Sequence, residues 1–387
     1  MISKFTISFL LMSTFFLNAQ IEELSFGTED TFEIMTWNIE HFPKNGQTTV
    51  NYVSEIIEAL DVDLIAIQEV ENVNYFEQMV GSLSSYNGYL ESSWFAGLAY
   101  IYNPEVIEIN DIYEIYTSSQ YWSSFPRAPM VMDLNYLNNR IIVINNHLKC
   151  CGDGNLDITN SNDEETRRYQ ANLLLKEFID SNFPNENVIM LGDLNDDITD
   201  APQNNVFQMF LNEFDNYLFT DIDIASGSSS NWSYPSWPSH LDHIMITNEL
   251  FDEFEHIDSE IATIKIDEYL TNGWSEYDEN ISDHRPVGLK LKIDLNLDIN
   301  DISNSNLKFY NTPNPFQSET ILNFNSFTEI QEIEIFNING QKVSSIKNLM
   351  GKTSIKWNAE GFPNGIYIAK LIRNNYHVST TKIVLMN

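Results

Sequence analysis

Apolar positions along this chain recur at two spacings. Phe32, Ile34 and Met35–Trp37 open an extended run that ends at Asn38. Tyr52–Leu60 (YVSEIIEAL) then shows helical spacing. Asp63–Gln68 (DLIAIQ) is a short apolar run, which predicts a buried strand. Further strands are predicted over Leu98–Tyr102, Val131–Tyr136, Ile141–Asn146, Val188–Leu191, His243–Thr247 and Pro286–Ile293. A stronger helix is predicted from about Ser161. There Ser161-Asn162-Asp163-Glu164 has the S-x-x-E capping pattern, and Tyr169, Leu173, Leu174 and Phe178 supply an apolar face. Polar residues cluster just past the strand ends: Asn38, Glu69, His147, Asp193, Asn195, Asp242 and Asp283. Loops at one edge of an α/β sheet are where sites are usually built.

The pattern changes at both ends of the chain. Lys4 precedes an apolar run from Phe5 to Leu17, with Ala19 before Gln20. Such a run is too short to span a bilayer and reads as a secretory signal peptide over residues 1–19. No other stretch is apolar enough to predict a stable membrane span. Past Asp294–Asn306, a polar stretch with the linker placed at 298–306, residues 307–387 show strand-like alternation. Their turn signals are Asn337-Ile338-Asn339-Gly340 and Pro363-Asn364-Gly365. Charge follows the same division. Residues 21–297 carry 11 Lys and Arg against 49 Asp and Glu, a formal −38, whereas residues 298–387 stand at +1. The acidity excludes a generic basic nucleic-acid coat protein and suits a site where divalent cations supply positive charge. Two adjacent cysteines, Cys150 and Cys151, exclude a disulfide scaffold and a four-thiolate zinc module.

Each strand-end residue has a bland reading alone, as a turn cap, a solvated acid or a core histidine. Their ordered set does not. It runs Thr36-Trp37-Asn38-Ile39-Glu40, Ile67-Gln68-Glu69-Val70, Asn145-Asn146-His147-Leu148-Lys149, Leu191-Gly192-Asp193-Leu194-Asn195, His240-Leu241-Asp242-His243-Ile244 and Ser282-Asp283-His284-Arg285-Pro286-Val287. This series resembles the endonuclease/exonuclease/phosphatase superfamily over about residues 31–293. The resemblance implies a DNase-I-like α/β (α+β) four-layer sandwich over residues 21–297 and a Mg2+-dependent hydrolase of phosphoric esters, with Mn2+ or Ca2+ as alternative ions.

Roles also follow from the resemblance. Glu69 would anchor the metal, with Asn38 beside it and Asp283 near. Asp193 would orient or deprotonate the attacking water, and Asn195 would bond the phosphoryl oxygen. Asp283 and His284 would act at the scissile phosphate. His147 would contact the phosphate or protonate the leaving oxygen, and Asp242 would hold a neighbouring imidazole. Arg127 and Lys149 are candidate substrate contacts, with surface ion pairs as the alternative. His240 and His243, which depart from the family pattern, read as supporting residues rather than added ligands.

Three loops stay open on sequence alone. Cys150-Cys151 fits a vicinal disulfide, free or intermolecularly paired thiols, or metal ligation. Asp153, Asn155 and Asp157, with Glu164 at the twelfth loop position, approach a calcium-loop pattern. Ile158 replaces its glycine, so a solvated acidic loop is the default. Asn231–Pro238 (NWSYPSWP) reads as a stacking surface or as a packed aromatic loop.

The tail carries Pro313-Asn314-Pro315-Phe316, Ile333–Val343, Trp357 and Gly361–Leu371. It resembles the type A C-terminal sorting domain of the type IX secretion system of Bacteroidetes. That implies a small all-β sandwich, contact with the type IX secretion machinery, and a secreted or cell-surface protein. The favoured function is therefore a secreted phosphodiesterase acting on nucleic acid as a nuclease. A phosphatase or sphingomyelinase-like phospholipid phosphodiesterase is the alternative within enzymes. A catalytically inactive surface-binding protein is the alternative outside them.

Overall fold

The computed structural model describes residues 21–90, 97–295, 309–324, 330–347, 349, 351–373 and 376–386. The expected signal peptide and the 298–306 linker lie outside the described residues. The chain divides into two compact units, residues 1–296 and 297–387.

The large unit is built on two six-stranded sheets. The first contains β1 (Phe32–Phe42), β2 (Leu64–Val70), β3 (Asn87–Leu90), β4 (Gly97–Tyr102), β11 (Glu260–Thr263) and β12 (Val287–Leu291), in the order β11-β12-β1-β2-β4-β3. The second contains β5 (Glu108–Glu114), β6 (Met130–Tyr136), β7 (Asn139–His147), β8 (Asn187–Asp193), β9 (Tyr217–Phe219) and β10 (Asp242–Thr247), in the order β5-β6-β7-β8-β10-β9. The longer helices are α1 (Gln47–Leu60), α2 (Val73–Val80), α3 (Glu164–Asn182) and α4 (Trp274–Asn280).

Side-chain alternation turns these elements into four layers. Along β1, Phe32 and Ile34 face the second sheet and join Leu64, Val143, Ile189, Leu191 and Ile244 in one buried cluster. The opposite face of β1, with Met35, Trp37 and Ile39, packs on Val53, Ile56, Ile57 and Leu60 of α1. The outer face of the second sheet, with Ile142, Ile144, Val188 and Met190, packs on Ala171, Leu175 and Ile179 of α3. Helix, sheet, sheet, helix is the DNase-I-like sandwich.

The predicted start of α3 needs correction. Asp163, not Ser161, is its N-cap: the Asp163 carboxylate accepts from the Thr166 N–H at 2.9 Å. A charged acceptor at the positive end of the helix dipole competes well for this place. Its buried face is also turned from the expected stripe. Ala171, Leu175 and Ile179 are buried together with Arg168 and Asn172, whereas Leu173 is exposed. Strands β3, β5, β9 and β11 were not predicted. They are short or partly exposed, so the clean apolar alternation that marks the central strands is missing.

The small unit contains a three-stranded and a four-stranded antiparallel sheet, with no helix among its described residues. Phe309, Leu322, Ile333, Ile335, Trp357, Tyr367 and Leu371 share one buried cluster, which makes it an all-β domain. Asn337 Oδ1 accepts from the Asn339 and Gln341 N–H groups, and Gly340 takes φ 74° at the predicted turn.

Between the two large sheets, directly below the site, the apolar core gives way to amides. Gln68 Nε2 donates to Asn145 Oδ1 at 2.8 Å, and Asn145 Nδ2 donates to the carbonyls of Ile67 and Ala99. Asn145 therefore ties β7 of one sheet to β2 and β4 of the other. Replacing Asn145 with Ala should destabilise the protein by about 2–4 kcal/mol, because buried polar partners on both sheets lose their bonds. Denaturant unfolding of the Asn145→Ala variant measures this, and an unchanged midpoint would contradict it.

Candidate active site

The site forms where β8 ends. Asp193, its last residue, pairs in parallel register with His147 of β7 and in antiparallel register with Asp242 of β10. Gly192 makes this approach possible. It takes φ 143°, and a Cβ there would lie 1.9 Å from the Asn146 carbonyl oxygen. In the facing sheet, Asn38 of β1 pairs with Gln68 of β2, and Glu69 follows at φ 67°. The two sheets thus deliver Asn38 and Glu69 from one side, and His147, Asp193 and Asp242 from the other.

Distances define the cluster. Asn38 Nδ2 donates to Asp193 Oδ2 at 3.0 Å and to Glu69 Oε1 at 3.1 Å. Asn38 Oδ1 already accepts from the Glu40 N–H at 3.0 Å, so its amide is arranged to orient the two carboxylates. The second Glu69 oxygen accepts from the His41 N–H at 2.9 Å. His147 Nε2 lies 3.5 Å from Asp193 Oδ2 and 3.8 Å from Glu69 Oε1. His284 Nε2 lies 3.9 Å from both Asp193 Oδ2 and Asp283 Oδ1, and its Nδ1 is 2.7 Å from Asp242 Oδ2. Asn195 (φ 56°) donates its backbone N–H to Asp193 Oδ1 at 3.1 Å. Asn38, Glu69, His147, Asp193, Asn195, Asp242, Asp283 and His284 therefore meet in one place.

Three residues that sequence reasoning passed over hold this set. Ser282 Oγ donates to the Asn38 carbonyl at 2.6 Å and accepts from the His284 N–H at 2.9 Å, joining the chain ends of the site. Glu40 accepts from the Asp283 N–H at 2.8 Å. Ser233 Oγ accepts from the Leu241 and Asp242 N–H groups. Ser282 and Glu40 stand inside the quoted motifs, and that neighbourhood was the available signal. Ser233 had none.

Burial and charge set the protonation states. Burial raises the Asp193 carboxyl to about 7 despite the opposing pull of His284. Burial disfavours the His284 cation, but Asp242 and Asp193 overcome it and lift His284 to about 10. His147 goes the other way: burial, reinforced by Arg127 and His284, lowers it well below the usual range. Asp283 is raised to about 6, chiefly by burial. One imidazole is thus held charged and the other neutral. The five carboxyls Glu40, Glu69, Asp193, Asp242 and Asp283 outnumber the three cations Lys44, Arg127 and His284 around them. An all-oxygen carboxylate set of this kind fits a hard divalent cation. Asp193, Asp242 and His284 place one nitrogen or oxygen each within 4.8 Å of one another, but His284, held as an imidazolium on Asp242, has no lone pair for a metal, so the carboxylates carry the set.

The flanking candidates divide. Arg127 lies within electrostatic reach of Glu69 and Asp193. It also lines a cavity of about 490 Å3 with Leu98, Tyr116, Trp122 and Phe125. Lys149 instead turns its ammonium onto the Cys150 carbonyl at 2.9 Å. Cys150 and Cys151 are free thiols. In the aromatic loop the Trp232 indole N–H is bonded to the Ile224 carbonyl, and the Tyr234 ring lies 4.8 Å from the His284 ring. Only Trp237, 78% exposed, stands out into solvent.

His240 and His243 build a separate buried pair with Asp221. His243 Nδ1 is 2.6 Å from Asp221 Oδ2, and its Nε2 bonds the Asp196 carbonyl at 2.9 Å. With acceptors on both nitrogens, His243 is an imidazolium, which leaves it no lone pair for a metal.

Sheets carrying a carboxylate and imidazole cluster at one open end define a phosphoester-hydrolase type of site. The chain belongs to the endonuclease/exonuclease/phosphatase family, whose model matches residues 35–284. Members are hydrolases of phosphoester bonds and generally depend on divalent metal. Residues 308–386 match the secretion system C-terminal sorting domain, which implies export through the type IX machinery. No helix among the described residues is long and apolar enough to cross a membrane. Among solved structures, D. rerio TDP2 complexed with single strand DNA product is similar at 12% identity, over 68% of this chain and 100% of that one, with a TM-score of 0.52. A humanized D. rerio TDP2 carrying 14 mutations gives 12%, the same coverage and 0.51. The mannosyl-6-phosphatase of Bacteroides thetaiotaomicron gives 13%, 68% and 100%, and 0.48. No curated protein matches the chain.

The His243 pair generates a pH prediction. Burial works against the cation, but Asp221 and the Asp196 carbonyl raise His243 to about 9. A group raised above its unfolded value of about 6.5 stabilises fully below that pH and loses the contribution as pH rises through 9. Unfolding free energy should fall by roughly 3 kcal/mol between pH 6.5 and 9.5 from this group. Denaturant titrations across that range should show a flatter profile for His243→Gln than for the native chain.

Proposed function

We propose that the large unit is a divalent-metal-dependent phosphodiesterase that acts on nucleic acid, carried outside the cell by a signal peptide and the sorting domain. The single observation that carries this reading is the convergence of Asn38, His147 and His284 on one oxygen of Asp193, with Glu69 alongside. Bound at Glu69, with Asp283 near, a hard divalent ion would neutralise phosphate charge and acidify a bound water. Asp193, raised to about 7 and oriented by Asn38, is suited to accept the proton of the attacking water. The Asn195 amide would donate to the phosphoryl oxygen. His284 keeps its proton through neutral pH and would stabilise the charge that develops at phosphorus. The neutral state of His147 supports hydrogen bonding to the phosphate rather than service as the acid for the leaving oxygen.

The cavity beside Arg127 favours a diester. A monoester brings one substituent and nearly two charges into a domain at −38, whereas a diester brings one charge and a second substituent to fill an aromatic-lined space. Trp122, exposed at the rim of this space, offers a flat face to a nucleobase. The apolar share of the same lining favours a phospholipid as the second reading.

Glu69→Gln should lower kcat at least 100-fold with little change in melting temperature, and a chelator should reproduce the loss in the native chain. Full turnover by that variant in chelator would end the metal reading. The substrate reading is checked by comparing a bis-aryl with a mono-aryl phosphate, then DNA with sphingomyelin. Faster monoester cleavage with the diester ignored would reverse it, and cleavage of sphingomyelin alone would move the substrate to membranes. A chain truncated at Asp298 should keep its activity, and unfolding of that product would displace the proposed boundary.

A further inference from the structure

The loop between His147 and α3, together with the first turn of that helix, holds three carboxylates that the active site does not use. One oxygen each of Asp153, Asp163 and Glu165 lie within 4.8 Å of one another. Oxygens so spaced need only a small closing shift for all three to reach a single ion at about 2.4 Å, the ordinary calcium–oxygen distance. These are not the positions that the linear calcium-loop pattern singled out. Asp153 is retained, but Asp163 and Glu165 stand where Asn155, Asp157 and Glu164 were expected, because the chain doubles back onto the start of α3.

Glu165 is the second observation. It is 2% exposed, and its Oε2 is buried without a hydrogen-bond partner. Leaving a buried carboxylate oxygen unpaired is costly unless something else meets it. Its other oxygen accepts from the Gly154 N–H at 2.7 Å. Arg168 Nη2 lies 3.4 Å from that same Oε1, and its guanidinium is shared with Asp196, so one cation faces two carboxylates. The backbone is shaped around this group. Gly152 takes φ 120°, and a Cβ there would lie 2.1 Å from Glu165 Oε1.

We propose that Asp153, Asp163 and Glu165 bind one calcium ion, with water and loop carbonyls completing its shell. The donor set is all oxygen, which selects a hard cation. A partly exposed loop suits the irregular six- to eight-fold coordination of calcium better than the strict octahedron of magnesium. The ion would tie the 149–157 loop to α3. Arg168 already holds the Lys149 and Cys151 carbonyls at 2.6 and 2.7 Å, so the ordered loop begins two residues beyond His147.

The test is calorimetric titration of the full chain with CaCl2. The Glu69→Gln background weakens metal binding at the active site. Asp153→Asn and Asp163→Asn are then added; the second keeps its helix cap, because Asn caps as well as Asp. The expected result is a one-to-one calcium event that weakens at least tenfold in the combined variant. A calcium-induced rise in melting temperature should disappear with it. No calcium event in the Glu69→Gln chain, or only events that survive both loop substitutions, would overturn the proposal.

Discussion

The site depends on burying Asp193 at the mouth between two sheets. A carboxylate that is 2% exposed must be met by donors or by charge, since desolvating an ion costs several kcal/mol. Asn38 reaches it across the gap from the opposite sheet, the Asn195 N–H closes on it from the following turn, and His284 supplies the nearest imidazolium. Each partner requires a holder of its own. Asp242 fixes His284, and Ser282 fixes the backbone of both Asn38 and His284. Removing the carboxylate from water therefore dictates residues on both sheets, and the amide bridge through Asn145 keeps those sheets in register below it.

The same burial separates two chemically identical side chains. His147 and His284 both bring Nε2 within 4 Å of Asp193 Oδ2. His284 has Asp242 on its far nitrogen and stays charged. The far nitrogen of His147 has no hydrogen-bond partner, and Arg127 is close enough to repel a second cation. Surroundings, not residue type, assign them different work.

Much of this was readable from the chain. Central strands are buried on both faces, so they appear as short apolar runs, and a polar residue at the end of such a run is conspicuous. Asn38, Glu69, His147, Asp193 and Asp242 were visible for that reason. Edge strands such as β5 alternate poorly because one side meets solvent. Ser233 and Ser282 were not visible as holders because their work is to bind backbone groups distant in sequence. The grouping of Asp153, Asp163 and Glu165 was not legible because it is fixed by where the chain reverses, which linear spacing does not encode. The sandwich itself came from the order of motifs rather than from periodicity, which says little about which sheet faces which.

Ser233 joins two distant parts of the site frame. Its hydroxyl holds the start of β10, and its carbonyl accepts from the Arg285 N–H at 2.7 Å, so one buried residue staples two motif segments. Beyond it, Tyr234 and Ser239 bridge the loop shut and leave 235–238 as a projecting tip around the exposed Trp237. The loop is therefore modular in an engineering sense. Sequence changes confined to 235–238 leave in place the bonds by which Ser233 holds the start of β10 and the Arg285 segment.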